Sequence, residues 1–107
     1  MDASTNKRGA KARATGTGLY FAEVTIPNKK GLHARASAKF AQMVDQFDAV
    51  VKVTRGTETV GGNSIMGLMM LAAGHGTQIT VEATGPQAIE VIEALAKLVS
   101  GRFTEEE

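Results

Sequence analysis

Two hydrophobic repeats alternate along the chain, and together they constrain its fold more than any other feature. Around Ala22, Val24 and Ile26 every second residue is apolar, which is the repeat of a strand with one buried face. From Ala36 to Phe47 apolar residues recur every three or four positions, which is the repeat of a helix with one buried stripe. Elements of these two kinds each bury one side only, so the strands and helices must pack against one another.

Turn-forming residues divide the chain into seven elements. The predicted strands are residues 19–26, 49–55, 57–60 and 78–84, and the predicted helices begin near Ala34, Ser64 and Pro86. Pro86 is expected at the first position of the last helix, and Gly101 is expected to end it. The order β-α-β-β-α-β-α predicts an α+β, two-layer open-faced sandwich. Three helices would cover one face of a four-stranded, mostly antiparallel sheet.

The first 18 residues differ in composition from the rest of the chain. They hold four basic side chains and one acidic side chain, with no Leu, Ile, Val or Phe. This composition predicts a disordered basic N-terminal extension over residues 1–18, followed by one folded domain over residues 19–107. The extension is either inert or a contact for an anionic partner.

Charge and residue usage exclude several classes of function. Residues 19–107 carry eight basic and ten acidic side chains, and the chain has five aromatic residues, so a nucleic-acid partner is not expected. Without cysteine and with two histidines, neither a disulfide nor a zinc centre of the usual kind is expected. No apolar run approaches the roughly 20 residues of a membrane span, and no secretory signal is apparent. A cytoplasmic protein is the expectation.

One histidine lies where a loop containing Gly31 meets the first predicted helix. The first backbone N–H groups of a helix have no partner within it, and an anion is stabilised there. Imidazole is partly neutral near pH 7, so a ring nitrogen of His33 is available to attack phosphorus, and Arg35 can pair with phosphate oxygens. No general base or metal cluster accompanies them, which favours a carrier without independent turnover over a complete enzyme. A histidine at this place can equally serve as a simple helix cap.

Three segments resemble one known family in the order in which they occur. Lys30–Ala36 resembles the phosphorylation-site signature of HPr, the histidine phosphocarrier of the bacterial phosphotransferase system. Gly62–Leu71 resembles the family's regulatory serine and the helix after it. Val81–Gln87 is similar to the last strand and helix start of the nitrogen-related branch, NPr. The resemblance covers about residues 19–101.

This resemblance implies a role for each matching residue. His33 would be phosphorylated on Nδ1 by enzyme I, which itself uses phosphoenolpyruvate and Mg²⁺, and would pass the group to an enzyme IIA-type protein. Arg35 would stabilise the phosphate, and Ser64 would be the target of an HPr kinase/phosphorylase where one exists. The resemblance further implies a monomer without a cofactor of its own. Contacts to partner proteins would come from Ala34, Ile65, Met66, Met69 and Met70.

The chain departs from the family at one position beside the histidine. The family usually has proline after the arginine, whereas this chain has Ala36. Alanine is a good helix former, so we expect the helix to survive while its first turn becomes less rigid. The expected effect is on the transfer rate and not on the identity of the nucleophile.

Ser64 and the apolar segment after it each allow two interpretations. Ser64 is predicted to cap the short helix through its hydroxyl, and a phosphate there would stabilise the helix start. Leu68, Leu71 and Ala72 suit the inward stripe of that helix. Its other apolar residues, Ile65, Met66, Met69 and Met70, either form a docking surface for partners or fill a deeper core.

Other functions remain open on the sequence alone. His75, between two glycines, is predicted to be an ordinary surface histidine. The main alternative to a carrier is a regulatory binding module whose phosphorylation state controls a partner without onward transfer. An amino-acid-binding regulatory fold would leave His33 without a role, and an RNA-binding version of that fold would need aromatic strand residues that this chain lacks.

Overall fold

The computed structural model describes residues 13–14 and 18–104 of the 107-residue chain. Its elements are β1 (Arg13–Ala14), β2 (Tyr20–Thr25), α1 (Ala34–Val44), β3 (Val50–Arg55), β4 (Glu58–Gly61), α2 (Ile65–Met70), β5 (Gln78–Thr84) and α3 (Ala88–Ser100). A 3₁₀ turn, Arg102–Thr104, follows α3. From β2 to α3 the order is the predicted one, and the α+β open-faced sandwich is confirmed.

The sheet has the order β1-β2-β5-β3-β4, and all strand pairings among the described residues are antiparallel. Ala22, Val81 and Val53 lie side by side on the three central strands, and each is at most 2% exposed. The next row, Glu23 and Thr80, faces the other side, because side chains alternate along a strand. One face of the sheet is therefore buried against the helices, as the alternating pattern predicted.

Within the part of the chain that the structure describes, β1 is the one strand that the sequence did not predict. It pairs Arg13 with Phe21 and Ala14 with Tyr20, on the outer edge of β2. A two-residue strand is too short to show a hydrophobic repeat, and its pairing depends on the free backbone groups of an edge strand. The predicted disordered extension over residues 1–18 lies for the most part outside the described residues and stays a prediction.

The helices supply the other half of the core. α3 packs against β2 and β5, and α1 packs against α2 and α3. Phe40 of α1 and Leu95 of α3 are at most 1% exposed, and each such side chain contributes roughly 1.5–3 kcal/mol on burial. α3 therefore covers the sheet directly, and α1 packs beside it.

The predicted start of α3 and the predicted inward position of Ala72 are both wrong. α3 begins at Ala88 and not at Pro86, because Gln87 has non-helical backbone angles and exchanges two hydrogen bonds with Asp48. Ala72 is exposed and not inward, because α2 ends at Met70 and Ala72 adopts a positive φ of 53°. This turn leaves the next inward position to Ala73, which is 2% exposed.

The end of α3 is joined to α1 by contacts that the sequence did not indicate. Gly101 is the C-cap residue of α3, as predicted. Phe103, two residues later, is fully buried. Lys39 of α1 donates a hydrogen bond from Nζ to the Phe103 carbonyl at 2.6 Å and also contacts Thr104 Oγ1. The packed unit therefore includes the turn after α3.

Candidate functional site

The loop before α1 approaches the segment after α2 so closely that only glycine fits at residue 31. Gly31 has a φ of +65°, and a Cβ built there would lie 2.4 Å from the Ala73 carbonyl oxygen. The next residue, Leu32, donates its N–H to that same oxygen at 2.9 Å. The glycine is therefore required both by its backbone angles and by a backbone contact.

His33 is the N-cap residue of α1. Its backbone is extended, and its Nδ1 accepts a hydrogen bond from the Arg35 N–H at 3.2 Å. A ring nitrogen that accepts an N–H bond carries no proton, so its lone pair is directed at the start of the helix. The helix-cap interpretation is confirmed, and the same geometry puts an unprotonated nitrogen where a helix stabilises anions.

Two buried polar side chains hold this loop in place. Ser37 donates its hydroxyl to the Leu32 carbonyl at 3.1 Å, and Asn28 donates its side-chain N–H to the Gly31 carbonyl at 2.9 Å. Both residues are 0% exposed. The sequence analysis missed them, although serine in a first helical turn and asparagine after proline are common sources of such bonds.

The first turn of α1 carries two more of the predicted site residues. Ala34 and Arg35 are exposed, so the arginine side chain is open to solvent beside the histidine. Ala36 is fully buried inside α1, and the helix forms without the family proline, as expected. The effect of Ala36 on transfer stays a prediction.

Ser64 is the N-cap residue of α2. Its hydroxyl oxygen accepts the Gly67 N–H at 2.9 Å, and its carbonyl accepts the Leu68 N–H at 2.9 Å. The predicted cap is confirmed. The side chain is half-buried, and its modification by a kinase stays a prediction.

The apolar residues of α2 divide between the core and the surface. Leu68 and Leu71 are at most 1% exposed, as predicted. Four others are exposed by 41–73%, so the interpretation that they fill a deeper core is wrong. We call these four the methionine face: Ile65, Met66, Met69 and Met70. An apolar surface of this kind on a small domain is typical of a protein-binding site.

Residues 28–33, which lead into α1, form the histidine loop, and the end of α2 lies against it. Arg55, the last residue of β3, donates a hydrogen bond from Nη1 to the Leu71 carbonyl at 3.1 Å. Two residues later, Ala73 accepts the Leu32 N–H described above. The C-terminal end of α2 thus lies next to the loop that leads into α1, and the methionine face belongs to a helix that adjoins α1. Ser64 caps the opposite end of that helix. The Arg55 contact joins residues 16 apart and has no sequence signal.

Three further features of the described residues lie outside the site around His33. His75 is exposed in the turn before β5, in agreement with the prediction of a surface residue. An open cavity of about 480 Å³ is lined by α1, β3 and β4 residues and does not include the histidine. Among residues 13–14 and 18–104, no three His, Cys, Asp or Glu side chains come together as a metal site, and no helix is long and apolar enough to cross a membrane.

Comparison with known proteins identifies the family of this fold and loop. The family described as "PTS HPr component phosphorylation site" matches residues 21–101. The phosphocarrier protein HPr of Cupriavidus necator is 49% identical over 85 residues, which are 79% of this chain and 96% of that protein. The phosphocarrier protein NPr of Shewanella violacea is 40% identical over 83 residues, covering 78% and 91%.

A solved structure has the same architecture. The crystal structure of HPr from Thermoanaerobacter tengcongensis superposes with a TM-score of 0.78 at 36% identity, covering 81% of this chain and 98% of that one. The sequence resemblance is thereby confirmed over nearly the whole of β2 to α3. The chain belongs to the HPr family of phosphocarriers of the phosphotransferase system.

Proposed function

We propose that His33 accepts a phosphoryl group on Nδ1 from a phosphohistidine of enzyme I and passes it to a histidine of an enzyme IIA-type protein. The observation that carries this proposal is the hydrogen bond from the Arg35 N–H to Nδ1. It supports Nδ1, and not Nε2, as the ring nitrogen that directs its electron pair at the helix start.

The phosphoryl transfer requires neither a metal ion nor an added base on this chain. The Nδ1 electron pair forms a bond to phosphorus, while the bond from phosphorus to the donor histidine breaks and its electron pair returns to that ring. Nε2 of His33 keeps its proton in this step. The Mg²⁺ and phosphoenolpyruvate act upstream on enzyme I, so this chain needs no cofactor and has no turnover of its own.

The start of α1 suits the phosphorylated state. Once Nδ1 is bonded to phosphorus, it can no longer accept the Arg35 N–H, and a phosphate oxygen takes over as acceptor. The exposed guanidinium of Arg35 reaches the same group from the solvent side and supplies a charged, bidentate donor. Both contacts hold the phosphoryl group while leaving it open to an acceptor.

The methionine face supports partner docking next to this site. Enzyme I and the acceptor each approach His33, and each would cover the same exposed apolar residues beside it, together with Ala34. A phosphate on Ser64 would add nearly two negative charges at the α2 start. Phosphorylation by an HPr kinase/phosphorylase would therefore alter docking without unfolding the helix.

The proposal also covers the location of the protein, its oligomeric state and the system in which it acts. We assign the protein to the cytoplasm as a monomer, in a regulatory, nitrogen-related phosphotransferase system. The alternative is a binding module whose phosphorylated form controls a partner without onward transfer, and the exposed methionine face suits it equally well. Loss of the label to an added enzyme IIA-type protein separates a carrier from such a module.

The test uses the whole chain with phosphoenolpyruvate, Mg²⁺ and enzyme I of either the sugar or the nitrogen-related system. Intact mass is expected to rise by about 80 Da, one phosphoryl group, and the label is expected to be labile in acid. His33→Ala removes the gain. The matched control is His75→Ala, which replaces the exposed histidine and keeps the gain. No gain with either enzyme I, in a chain whose circular dichroism shows it to be folded, contradicts the proposal.

A further inference from the structure

α2 is a helix that depends on contacts at both of its ends. It has six residues, and helices shorter than about 12 residues are not stable alone in water. Ser64 caps its start, and Arg55 binds the Leu71 carbonyl at its end. The orientation of the methionine face is therefore set by these side chains and by the packing of Leu68.

The contact of Arg55 with the end of α2 has favourable electrostatics. The last carbonyl groups of a helix have no partner within it and carry partial negative charge. Leu71 is the C-cap residue of α2, and a guanidinium N–H is a charged donor, which makes a stronger bond than a neutral one. Because Arg55 ends β3, which is paired on both sides, this bond fastens the helix to the sheet.

Besides the bond from the Leu32 N–H to Ala73, the histidine loop has two hydrogen bonds that do not depend on α2. Ser37 and Asn28 bond to the carbonyls of Leu32 and Gly31, and neither bond involves Arg55. Loss of the Arg55 bond is therefore expected to loosen α2 while Nδ1 of His33 keeps its place at the start of α1.

We propose that Arg55 is a positioning residue for partner docking, which holds the end of α2 so that the methionine face is presented beside His33. The proposal rests on the proposed function, since docking is measured through phosphoryl transfer. It assigns Arg55 no contact with the phosphoryl group.

The kinetic test follows enzyme I-dependent phosphorylation at varied concentrations of this protein. Arg55→Met keeps the aliphatic stem and removes the donors, and it is expected to raise KM about five- to tenfold with kcat within about twofold of the parent chain. Arg55→Lys keeps a charged donor and is expected to recover part of the loss. The control is Lys52→Met, which removes a positive charge from an exposed residue of the same strand and leaves KM unchanged.

A second measurement is independent of transfer. In hydrogen exchange followed by mass spectrometry, Arg55→Met is expected to accelerate exchange in a peptide covering α2 and to leave β5 unchanged, while Lys52→Met changes neither. Unchanged α2 exchange overturns the proposal, as does a loss confined to kcat. If the parent chain accepts no phosphoryl group, the proposed function fails, and accelerated α2 exchange alone would still support Arg55 as the residue that holds the helix.

Discussion

Nδ1 of His33 has one role in the resting chain and another in the proposed reaction, and it cannot have both at once. In the resting state it accepts the Arg35 N–H and caps α1. In a phosphorylated state the same nitrogen is bonded to phosphorus, and the N–H turns to a phosphate oxygen. Because one acceptor replaces another at the same helix end, phosphorylation is expected to leave α1 intact.

Gly31 permits a sharp test of how tightly the histidine loop is held. Gly31→Ala is expected to lower the free energy of unfolding by about 3 kcal/mol or more, because the new Cβ meets the Ala73 carbonyl at 2.4 Å in a positive-φ conformation. The matched control is Gly56→Ala. Gly56 has nearly the same φ, +62°, with nothing within 4 Å, so only the backbone strain of about 1–2 kcal/mol is expected.

Urea unfolding of both variants gives the comparison. Equal losses would show that the contact with Ala73 relaxes at little cost and would contradict a close approach of the two segments. Phosphoryl transfer gives a second comparison, because only the alanine at residue 31 displaces the loop that carries His33.

At the scale of an element, Ser64 both begins α2 and is the proposed target of a kinase. Ser64→Ala removes the acceptor of the Gly67 N–H and is expected to cost about 1 kcal/mol in urea unfolding. Ser64→Asp retains an acceptor and adds a negative charge at the helix start, so its stability is expected to stay within about 0.5 kcal/mol of the parent chain. An aspartate variant as unstable as the alanine variant would contradict the cap.

The interiors of the elements were predictable from sequence, and their ends were less so. The alternating repeat located β5 at residues 78–84, and the inward stripes of α1 and α3 followed from their spacing. The ends depend on distant residues. Two hydrogen bonds between Gln87 and Asp48 move the start of α3 to Ala88. They join residues 39 apart, so no local sequence pattern predicts them.

The candidate site divides in the same way. His33 and Ser64 were identified at helix starts because capping has a local signature. Arg55 and Ser37 were missed as parts of the site, since their contacts follow only from the packing of α2 and the loop. Residue type and position therefore predicted the candidate reactive residues, His33 and Ser64. The side chains that hold their surroundings in place are identified only in the tertiary structure.

At the scale of the whole molecule, the packed unit is longer than the family match. The match ends at residue 101, yet Phe103 is 0% exposed and Lys39 of α1 bonds to its carbonyl.

A chain that ends after Gly101 is therefore expected to lose about 3 kcal/mol or more of its free energy of unfolding, the cost of removing a buried phenylalanine. The matched control ends after Thr104, keeps that side chain, and is expected to match the full chain. Urea unfolding measures both, and Phe103→Leu, expected to cost about 1.5 kcal/mol or less, supplies a milder variant if the shorter chain does not fold. Equal stability of the two truncated chains would show that the core closes without residue 103. A difference of the expected size would make the turn after α3 part of the domain that presents His33.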